Sequence, residues 1–212
     1  MKGITAIIPT RNEAHNIIEA IKSVDFADEI MIVDSFSTDN TITLAKQLAH
    51  KVIQREYENS ASQKNWAIPQ AKYPWIFLLD ADERITPGLR DEIIETVNKN
   101  ENISGFWIKR QNYFMGKEVR FSGWQGDKVI RLFKRDECKY ENKHVHAEII
   151  SDGKINTLKN KLLHNTYISK EAYQNKLERY AKLQAKDYDK KIKRITPFHT
   201  FLKPIIRFFK HY

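Results

Sequence analysis

The sequence is poor in cysteine and has no long hydrophobic segment. Cys138 is the only cysteine among 212 residues, which excludes an internal disulfide framework and fits a reducing compartment. No stretch approaches the roughly 18 to 20 apolar residues that span a bilayer. The N-terminal sequence MKGITAIIPTRNE also lacks the long apolar core and the cleavage site of a secretory signal. We therefore expect a cytoplasmic protein.

Two glycine-rich phosphate-binding motifs are absent as well. No G-x-G-x-x-G follows the first predicted strand, and no G-x-x-x-x-G-K-[ST] occurs anywhere. Both motifs use glycine to bring the backbone close to phosphates. Their absence disfavours a Rossmann dinucleotide site and a P-loop.

The positive charge is concentrated at one end of the chain. The net charge is +9, and the residues from Lys170 onward contain twelve Lys or Arg against four Asp or Glu. The rest of the chain is nearly neutral. We therefore expect any anionic partner to be attracted mainly by the C-terminal segment.

Residues 1–100 alternate short apolar segments with amphipathic ones. The segments ITAIIP, EIMIVD, KVIQRE and WIFLLD predict strands, the first ended by Pro9, which cannot donate to a central ladder. Helices are predicted after each strand, with Thr38 or Asp39 as the N-cap of the second and Thr86 as that of the last. Almost continuously apolar strands are typical of a mostly parallel sheet flanked by helices. The sequence therefore predicts an α/β fold.

The pattern changes after residue 100. Short segments rich in aromatic residues predict a smaller region of mixed, antiparallel strands: GFWIKRQNYFMG, VIRLFK, HAEII and KLLHNTY. A long polar helix is expected from Ser169 to Arg194. We therefore predict one domain over residues 1–168, with halves 1–100 and 101–168, and a basic helical extension over 169–212.

Polar residues collect after three of the predicted strands. PTRNE follows the first strand, DSFSTDNT the second and DADE the fourth. Ligands of open parallel sheets bind at the carboxyl ends of the strands, so these segments predict a site. For Asp80 and Asp82 alone a solvated loop is the favoured interpretation, whereas three acidic strand ends at one edge favour a ligand.

These segments resemble a known family. IIPTRNEAHNI, IMIVDSFSTDNT and WIFLLDADERITPGL are similar, in order and spacing, to the inverting family 2 glycosyltransferases of the GT-A fold. RQNYFMGKEVRFSGWQGDKVIRLFKR, YENKHVHAEI and LLHNTY resemble its lipopolysaccharide core-biosynthesis branch. The resemblance covers almost the entire chain. It implies a GT-A domain whose first half binds a nucleotide sugar and whose second half holds the acceptor.

The resemblance assigns residues to the donor. Asp34 corresponds to the carboxylate that accepts a hydrogen bond from uracil, a task suited to an exposed carboxylate, although a helix cap is the alternative. Asp82 would bind the metal, Mn²⁺ or Mg²⁺, for which oxygen ligands are preferred. The implied nucleotide-sugar-binding residues are Pro9, Thr10, Asn12, Glu13, Asp34, Gln63, Lys64, Asp80 and Ala81.

The resemblance also assigns catalytic and acceptor residues. Asp127 would be the catalytic base, with ordinary turn chemistry between Gly126 and Lys128 as the alternative. Arg131 would steady the diphosphate or the base. His146 would complete the metal or pyrophosphate site.

Three further assignments depend on the second half. Arg110 and Trp124 match acceptor positions, with closure of the core as the alternative for Trp124. Ala147 stands where the resembled pattern has glutamate, so Glu148 or Glu141 could take that place. We expect His164 to be structural.

The C-terminal sequence PFHTFLKPIIRFFKHY combines aromatic, aliphatic and basic residues. Such a segment predicts peripheral contact with anionic lipid at the inner face of the cytoplasmic membrane. The alternatives are packing on the catalytic domain or on a second subunit.

The sequence thus predicts an inverting, metal-dependent glycosyltransferase. It would move a hexose from a UDP-sugar to a glycan or glycolipid acceptor, with the lipopolysaccharide core favoured. A nucleotidyltransferase is the alternative enzyme, but PTRNE lacks the basic glycine-rich phosphate loop of that class. A nucleic-acid-binding module is the alternative from another class, although the basic tail is separated from the acidic strand ends.

Overall fold

The computed structural model describes residues 3–99, 102–121, 123–141, 147–167, 169–171, 173–174, 177–178, 181–182, 185 and 195–211. The chain divides into two compact units. The first comprises Met1–Arg110 and Lys128–His164, and the second comprises Gln111–Asp127 and Asn165–Tyr212. His146 and most of the helix predicted over 169–194 lie outside the described residues.

The first unit is built on a sheet whose amino-terminal strands are parallel. Its four parallel strands are β1 (Ile4–Thr10), β2 (Glu29–Asp34), β3 (Lys51–Gln54) and β4 (Trp75–Leu78). They lie in the order β3-β2-β1-β4, and the sheet continues beyond β4 with strands from later in the chain. The pairs β1–β2, β2–β3 and β1–β4 are all parallel, as predicted.

Helices cover both faces of this sheet, because β1 and β4 are apolar on both sides. One face packs on α1, α2 and α4, and the other packs on α3. The helices are α1 (Ile17–Ser23), α2 (Thr41–Ala45), α3 (Ser60–Ala67) and α4 (Pro87–Asn98). The predicted α/β layering of residues 1–100 is therefore confirmed.

Pro9 does not end β1, contrary to the prediction. The strand continues to Thr10, and Pro9 pairs with Val33 of β2. Odd-numbered residues of β1 point their backbone groups toward β4, since Leu79 N–H donates to the carbonyl of Ile7. The pairing with β4 ends at Ile7. Pro9 therefore interrupts no hydrogen bond between these strands, although it has no N–H to donate.

The helix starts agree with the sequence in one case and differ in another. Thr86 caps α4 as predicted, because its Oγ1 accepts from Leu89 N–H at 3.2 Å, and Pro87 occupies the first turn. The N-cap of α2 is Asn40, later than the predicted Thr38 or Asp39. Asp39 instead accepts hydrogen bonds from the N–H and hydroxyl of Thr41, which delays the helix start.

The strands after residue 100 are mainly antiparallel, as their mixed pattern predicted. β8 (Lys128–Lys134) runs antiparallel between β4 and β6 (Gly105–Phe114), and β11 (Ile155–Thr157) lies parallel to β6. The short strands β9 (Lys139–Tyr140) and β10 (Ile149–Ile150) pair with each other.

One pairing that the sequence did not predict joins β5 (Glu83–Ile85) to β12 (Leu162–Tyr167). The two strands are antiparallel, and His164 lies directly opposite Glu83. Because β5 begins immediately after Asp82, this register carries a histidine to the acidic end of β4. The pairing therefore sets up the candidate site.

The second unit contains a hairpin and a C-terminal helix. The hairpin joins β6 to β7 (Lys117–Glu118) through a turn at Met115 and Gly116, both with positive φ. The helix α5 (Lys203–His211) follows a single wide turn over Phe198–Leu202. In the described part of the chain, no helix combines the length and hydropathy needed to cross a membrane.

Candidate active site

The loop after β2 is built around the carboxylate of Asp34. Its Oδ2 accepts from Ser37 N–H at 2.9 Å and from Gln54 Nε2 at 3.1 Å. Its Oδ1 accepts from the hydroxyls of Ser37 at 2.5 Å and Thr10 at 3.3 Å. Asp34 is 0% exposed, which corrects the expectation of an exposed carboxylate. The loop turns back over the strand end, so that four hydrogen bonds replace water around Asp34.

The exit of β1 is tied to the same loop. Asn12 has a φ of 57°, and its Oδ1 accepts from Thr38 N–H at 2.8 Å. The N–H of Asn12 donates to Ser37 Oγ, and the N–H of Glu13 donates to Thr41 Oγ1, both at 2.8 Å. These hydrogen bonds join the loops that follow β1 and β2. Burial raises the pKa of the Glu13 carboxyl group.

Consecutive residues of α3 reach two different strand ends. Gln63 is buried, and its Nε2 donates to the carbonyl of Val33 at 3.2 Å and to Ser35 Oγ at 2.6 Å. Lys64 places its Nζ 3.4 Å from Asp80 Oδ1. Gln63 and Lys64 were both expected to bind the nucleotide sugar. Gln63 hydrogen-bonds to the end of β2, and the Lys64 ammonium group pairs with the Asp80 carboxylate at the end of β4.

A network of charges lies behind the end of β4. Arg131, from β8, donates through Nη2 to Asp80 Oδ2 and to Glu83 Oε1, the latter at 2.7 Å. Arg110 Nη1 lies 3.5 Å from the same Glu83 oxygen. Glu83 Oε2 also accepts from the N–H of Asp80 at 3.0 Å. Arg110 and Arg131, expected respectively at the acceptor and at the diphosphate or base, therefore both face the Glu83 carboxylate.

The charges of the network shift the pKa values of its carboxyl groups. Burial alone would raise the pKa of Asp80, but the charges of Arg131 and Lys64 outweigh it and hold that pKa well below its usual range. Burial raises the pKa of Glu83, and Arg131 offsets this only in part. With Arg110 included, three cations face Asp80 and Glu83, and Asp82 adds a third carboxylate beside them. The cations at this edge of the sheet are therefore balanced by neighbouring carboxylates.

Asp82 and His164 form a pair at the front of this network. Asp82 Oδ2 lies 3.5 Å from His164 Nε2, and their side chains are 29% and 12% exposed. An Asp oxygen and an imidazole nitrogen both suit Mn²⁺. Within the described residues, no group of three or more His, Cys, Asp or Glu side chains is arranged to hold a metal. A divalent cation bound by this pair would therefore need further ligands from a substrate phosphate or water.

The turn that carries the two aspartates is held by Arg84. Its Nη1 donates to the carbonyl of Ala81 at 2.6 Å, and its Nη2 donates to the carbonyl of Asn16 at 3.1 Å. Ala81 is buried. The guanidinium thus bridges the Asp80–Asp82 turn to the start of α1 and limits the movement of both carboxylates.

The predicted catalytic base lies in the second unit. Asp127 Oδ2 accepts from Asn112 Nδ2 at 3.0 Å, and Asp127 N–H donates to the carbonyl of Trp124 at 3.2 Å. Gly123 has a φ of 82°, which allows the chain to turn into the short helical segment Trp124–Gly126. Asp127 and Trp124, predicted as base and acceptor residue, are therefore neighbours in one turn.

His164, which we expected to be structural, lies 3.5 Å from Asp82 and becomes a candidate metal ligand. The available signal was the LLH segment in the resembled branch. The predicted histidine, His146, lies outside the described residues.

An open α/β sheet with acidic side chains and paired cations at its strand ends is typical of the GT-A class of transferases. The profile of the glycosyl transferase family 2 matches residues 5–157, and the chain belongs to this family. It is therefore a glycosyltransferase. The matched region includes Asp34, Asp80 and Asp82 and ends before His164.

Two bacterial relatives cover the chain almost completely. An uncharacterized glycosyltransferase of Rickettsia felis is 31% identical over 222 aligned positions, which cover 99% of this chain and 78% of that protein. The lipopolysaccharide core biosynthesis glycosyltransferase LpsC of Rhizobium meliloti is 28% identical, with coverage of 99% and 80%.

A solved structure supports the fold. S. aureus TarS 1-349, in complex with UDP-GlcNAc, superposes with a TM-score of 0.58 at 16% identity. The match covers 79% of this chain and 60% of that fragment, so this chain spans less than two thirds of it. The similarity confirms the predicted GT-A fold.

Proposed function

We propose that the protein transfers a hexose from a UDP-sugar to a lipopolysaccharide core or related envelope glycan, with inversion and with a divalent cation. The observation that carries the proposal is the pair of Asp82 and His164 in front of the charged network around Asp80. A pair of metal-ligand side chains matches the chemistry of a nucleoside diphosphate, which chelates divalent cations.

Asp82 and His164 would hold the cation. When bound, Mn²⁺ or Mg²⁺ neutralises the negative charge that develops on the departing diphosphate. The protein's own groups act in the same direction. Lys64 supplies a positive charge at the β4 exit, and Arg131 keeps Asp80 ionised and fixed in place. Arg84 holds the turn between the two aspartates.

Inverting transfer needs one base. The acceptor hydroxyl oxygen forms a bond to the anomeric carbon as the bond from that carbon to the diphosphate oxygen breaks, and the hydroxyl proton passes to the base. We propose that Asp127 accepts this proton. Its carboxylate accepts a hydrogen bond from Asn112 Nδ2 at 3.0 Å, which fixes the orientation of the group.

The acceptor is proposed as a membrane-linked glycan. LpsC, a relative over the whole chain, is described as a lipopolysaccharide core biosynthesis enzyme. TarS, with a similar fold, was solved with UDP-GlcNAc. The exposed apolar face and basic residues of α5 suit a protein that works at the inner face of the cytoplasmic membrane.

Calorimetry of nucleotide binding tests the metal site directly. We expect UDP to bind the wild type more tightly with Mn²⁺ than without it. Asp82→Asn and His164→Gln should each reduce the Mn²⁺-dependent gain at least about tenfold, because each removes one of two protein ligands. Binding of UDP without metal should change little.

The matched control is Asp91→Asn, which removes one carboxylate charge from an exposed position of α4. It should behave as the wild type. If Mn²⁺ increased UDP affinity as much in Asp82→Asn and in His164→Gln as in the wild type, neither residue would be a metal ligand.

A further inference from the structure

Phe36 has an unusual backbone conformation for an aromatic residue. Its φ is 54°, and among the described residues only Asn12 and Met115 share a positive φ without being glycine. Asparagine tolerates this left-handed region, whereas a bulky side chain pays a steric cost there. Phe36 is also 53% exposed, so burial of its ring in the core does not offset the unfavourable backbone conformation. Neither the turn nor the core explains an aromatic side chain at this position.

The residues on both sides of Phe36 are fixed. Ser35 N–H donates to the carbonyl of Thr10 at 2.9 Å, which ties the loop to the end of β1. Ser37 donates from both its N–H and its hydroxyl to the buried carboxylate of Asp34. The loop therefore presents the ring of Phe36 from a rigid support, with no easy relaxation to a negative φ.

The position of the loop indicates what the ring contacts. Phe36 follows β2 at the carboxyl edge of the sheet, where open α/β sheets bind their ligands. Residues next to it contact the exit of β1. The proposed donor offers one flat apolar group, its nucleobase. Stacking on an aromatic ring requires no hydrogen-bond donor or acceptor, which fits a loop whose buried carboxylate, Asp34, is already occupied.

We infer that Phe36 is a stacking platform for the nucleobase of the donor, and this inference rests on the proposed function. Asp34 then acts on the base through the loop, as a positioning residue, and the ring of Phe36 makes the contact. Because the loop is already ordered without the donor, binding does not incur the entropic cost of ordering it.

A comparison of two ligands tests the stacking contact. UDP and ribose 5-diphosphate share the ribose and the diphosphate, and only UDP has a base. We expect Phe36→Asn to weaken UDP binding in the presence of Mn²⁺ about tenfold, because the variant loses the ring on which the base stacks. Ribose 5-diphosphate should bind the variant and the wild type equally. Asparagine keeps the left-handed backbone, so the loop is preserved.

Two further variants sharpen the test. Phe36→Tyr retains a stacking ring and should restore wild-type affinity for UDP. Met115→Asn is the matched control, because Met115 has a φ of 49° and is 49% exposed. It should leave UDP binding unchanged.

The outcomes separate this inference from the function that it builds on. Equal UDP affinity in Phe36→Asn and the wild type, or an equal loss for UDP and ribose 5-diphosphate, would overturn the stacking role while the donor site stands. A wild type that binds neither UDP nor another nucleoside diphosphate would overturn both.

Discussion

At the scale of single residues, the site depends on charges that the protein removes from water. Arg131 and Glu83 are both buried and form an ion pair, because a buried charge without a counter-charge would destabilise the fold. Asp80 is kept ionised by the same guanidinium. The charge and orientation of the Asp80 carboxylate are thus set by a buried residue behind it.

Removal of Arg131 should therefore destabilise the protein strongly. Arg131→Met leaves the carboxylates of Glu83 and Asp80 without their main counter-charge, and breaking a buried pair from one side costs about 3–5 kcal/mol. The measurement is urea unfolding at neutral pH.

The control for Arg131→Met is an exposed pair. Arg90 lies 3.6 Å from Asp25, and both side chains are well exposed. Arg90→Met should cost less than about 1 kcal/mol, as surface pairs do. Addition of Glu83→Gln to Arg131→Met should recover part of the loss, because it removes the unpaired charge. Similar costs for Arg131→Met and Arg90→Met would show that the network contributes little.

Asp127 is the second prediction at the residue scale. Asp127→Asn keeps an oxygen that can accept from Asn112, but the amide cannot take a proton from the acceptor hydroxyl. We expect kcat to fall about 100-fold or more, which is the usual contribution of a positioned base. The affinity for UDP should stay at the wild-type value.

The readouts for Asp127→Asn are turnover and calorimetry, with Asp152→Asn, an exposed carboxylate, as the control. Lost UDP binding in Asp127→Asn would mean that the carboxylate has a structural role. Unchanged turnover would mean that another group takes the proton.

At the scale of elements, a strand pairing and a helix are decisive. The register of β5 with β12 sets His164 opposite Glu83 and brings its ring to Asp82. A shift of one residue would turn the histidine to the other face of the pair. The helix α5 separates its residues by face, with Ile205, Phe208 and Phe209 along one side of the wheel and Lys203 and Arg207 on the other.

The exposed face of α5 predicts binding to anionic membranes. The apolar side chains at its surface are more than half exposed. We expect the full chain to bind vesicles that contain phosphatidylglycerol and to bind neutral phosphatidylcholine vesicles much more weakly. Phe208→Glu with Phe209→Glu should abolish binding, because two charges enter the apolar face. Lys203→Gln with Arg207→Gln should cost about 1 kcal/mol for each charge removed.

Leu48→Glu is the control in the vesicle experiment. Leu48 is an exposed apolar residue in the first unit, and its substitution also adds a negative charge. It should leave co-sedimentation with the vesicles unchanged. Equal vesicle binding by the wild type and by Phe208→Glu with Phe209→Glu would show that the apolar face does not bind the membrane. A contact with protein would then be favoured for this face.

At the scale of the whole molecule, the parallel half of the sheet was the most predictable part. Its strands are short, continuous apolar segments, and each is followed by a helix with a local period and cap, such as Thr86. These signals are contained in stretches of about ten residues. The aspartates at the end of β4 were predictable for the same reason, since they adjoin the strand in sequence. The family assignment depended on the order of such segments and is confirmed by the matched profile.

The sequence by itself determined the α/β class, the acidic carboxyl edge and the amphipathic C-terminal segment, because each is encoded by neighbouring residues. The tertiary structure alone decided that Asp34 is buried, that Arg131 faces Asp80 and Glu83, and that His164 meets Asp82. These contacts join residues that are far apart in the chain. They depend on strand register and loop closure, which local propensities do not specify.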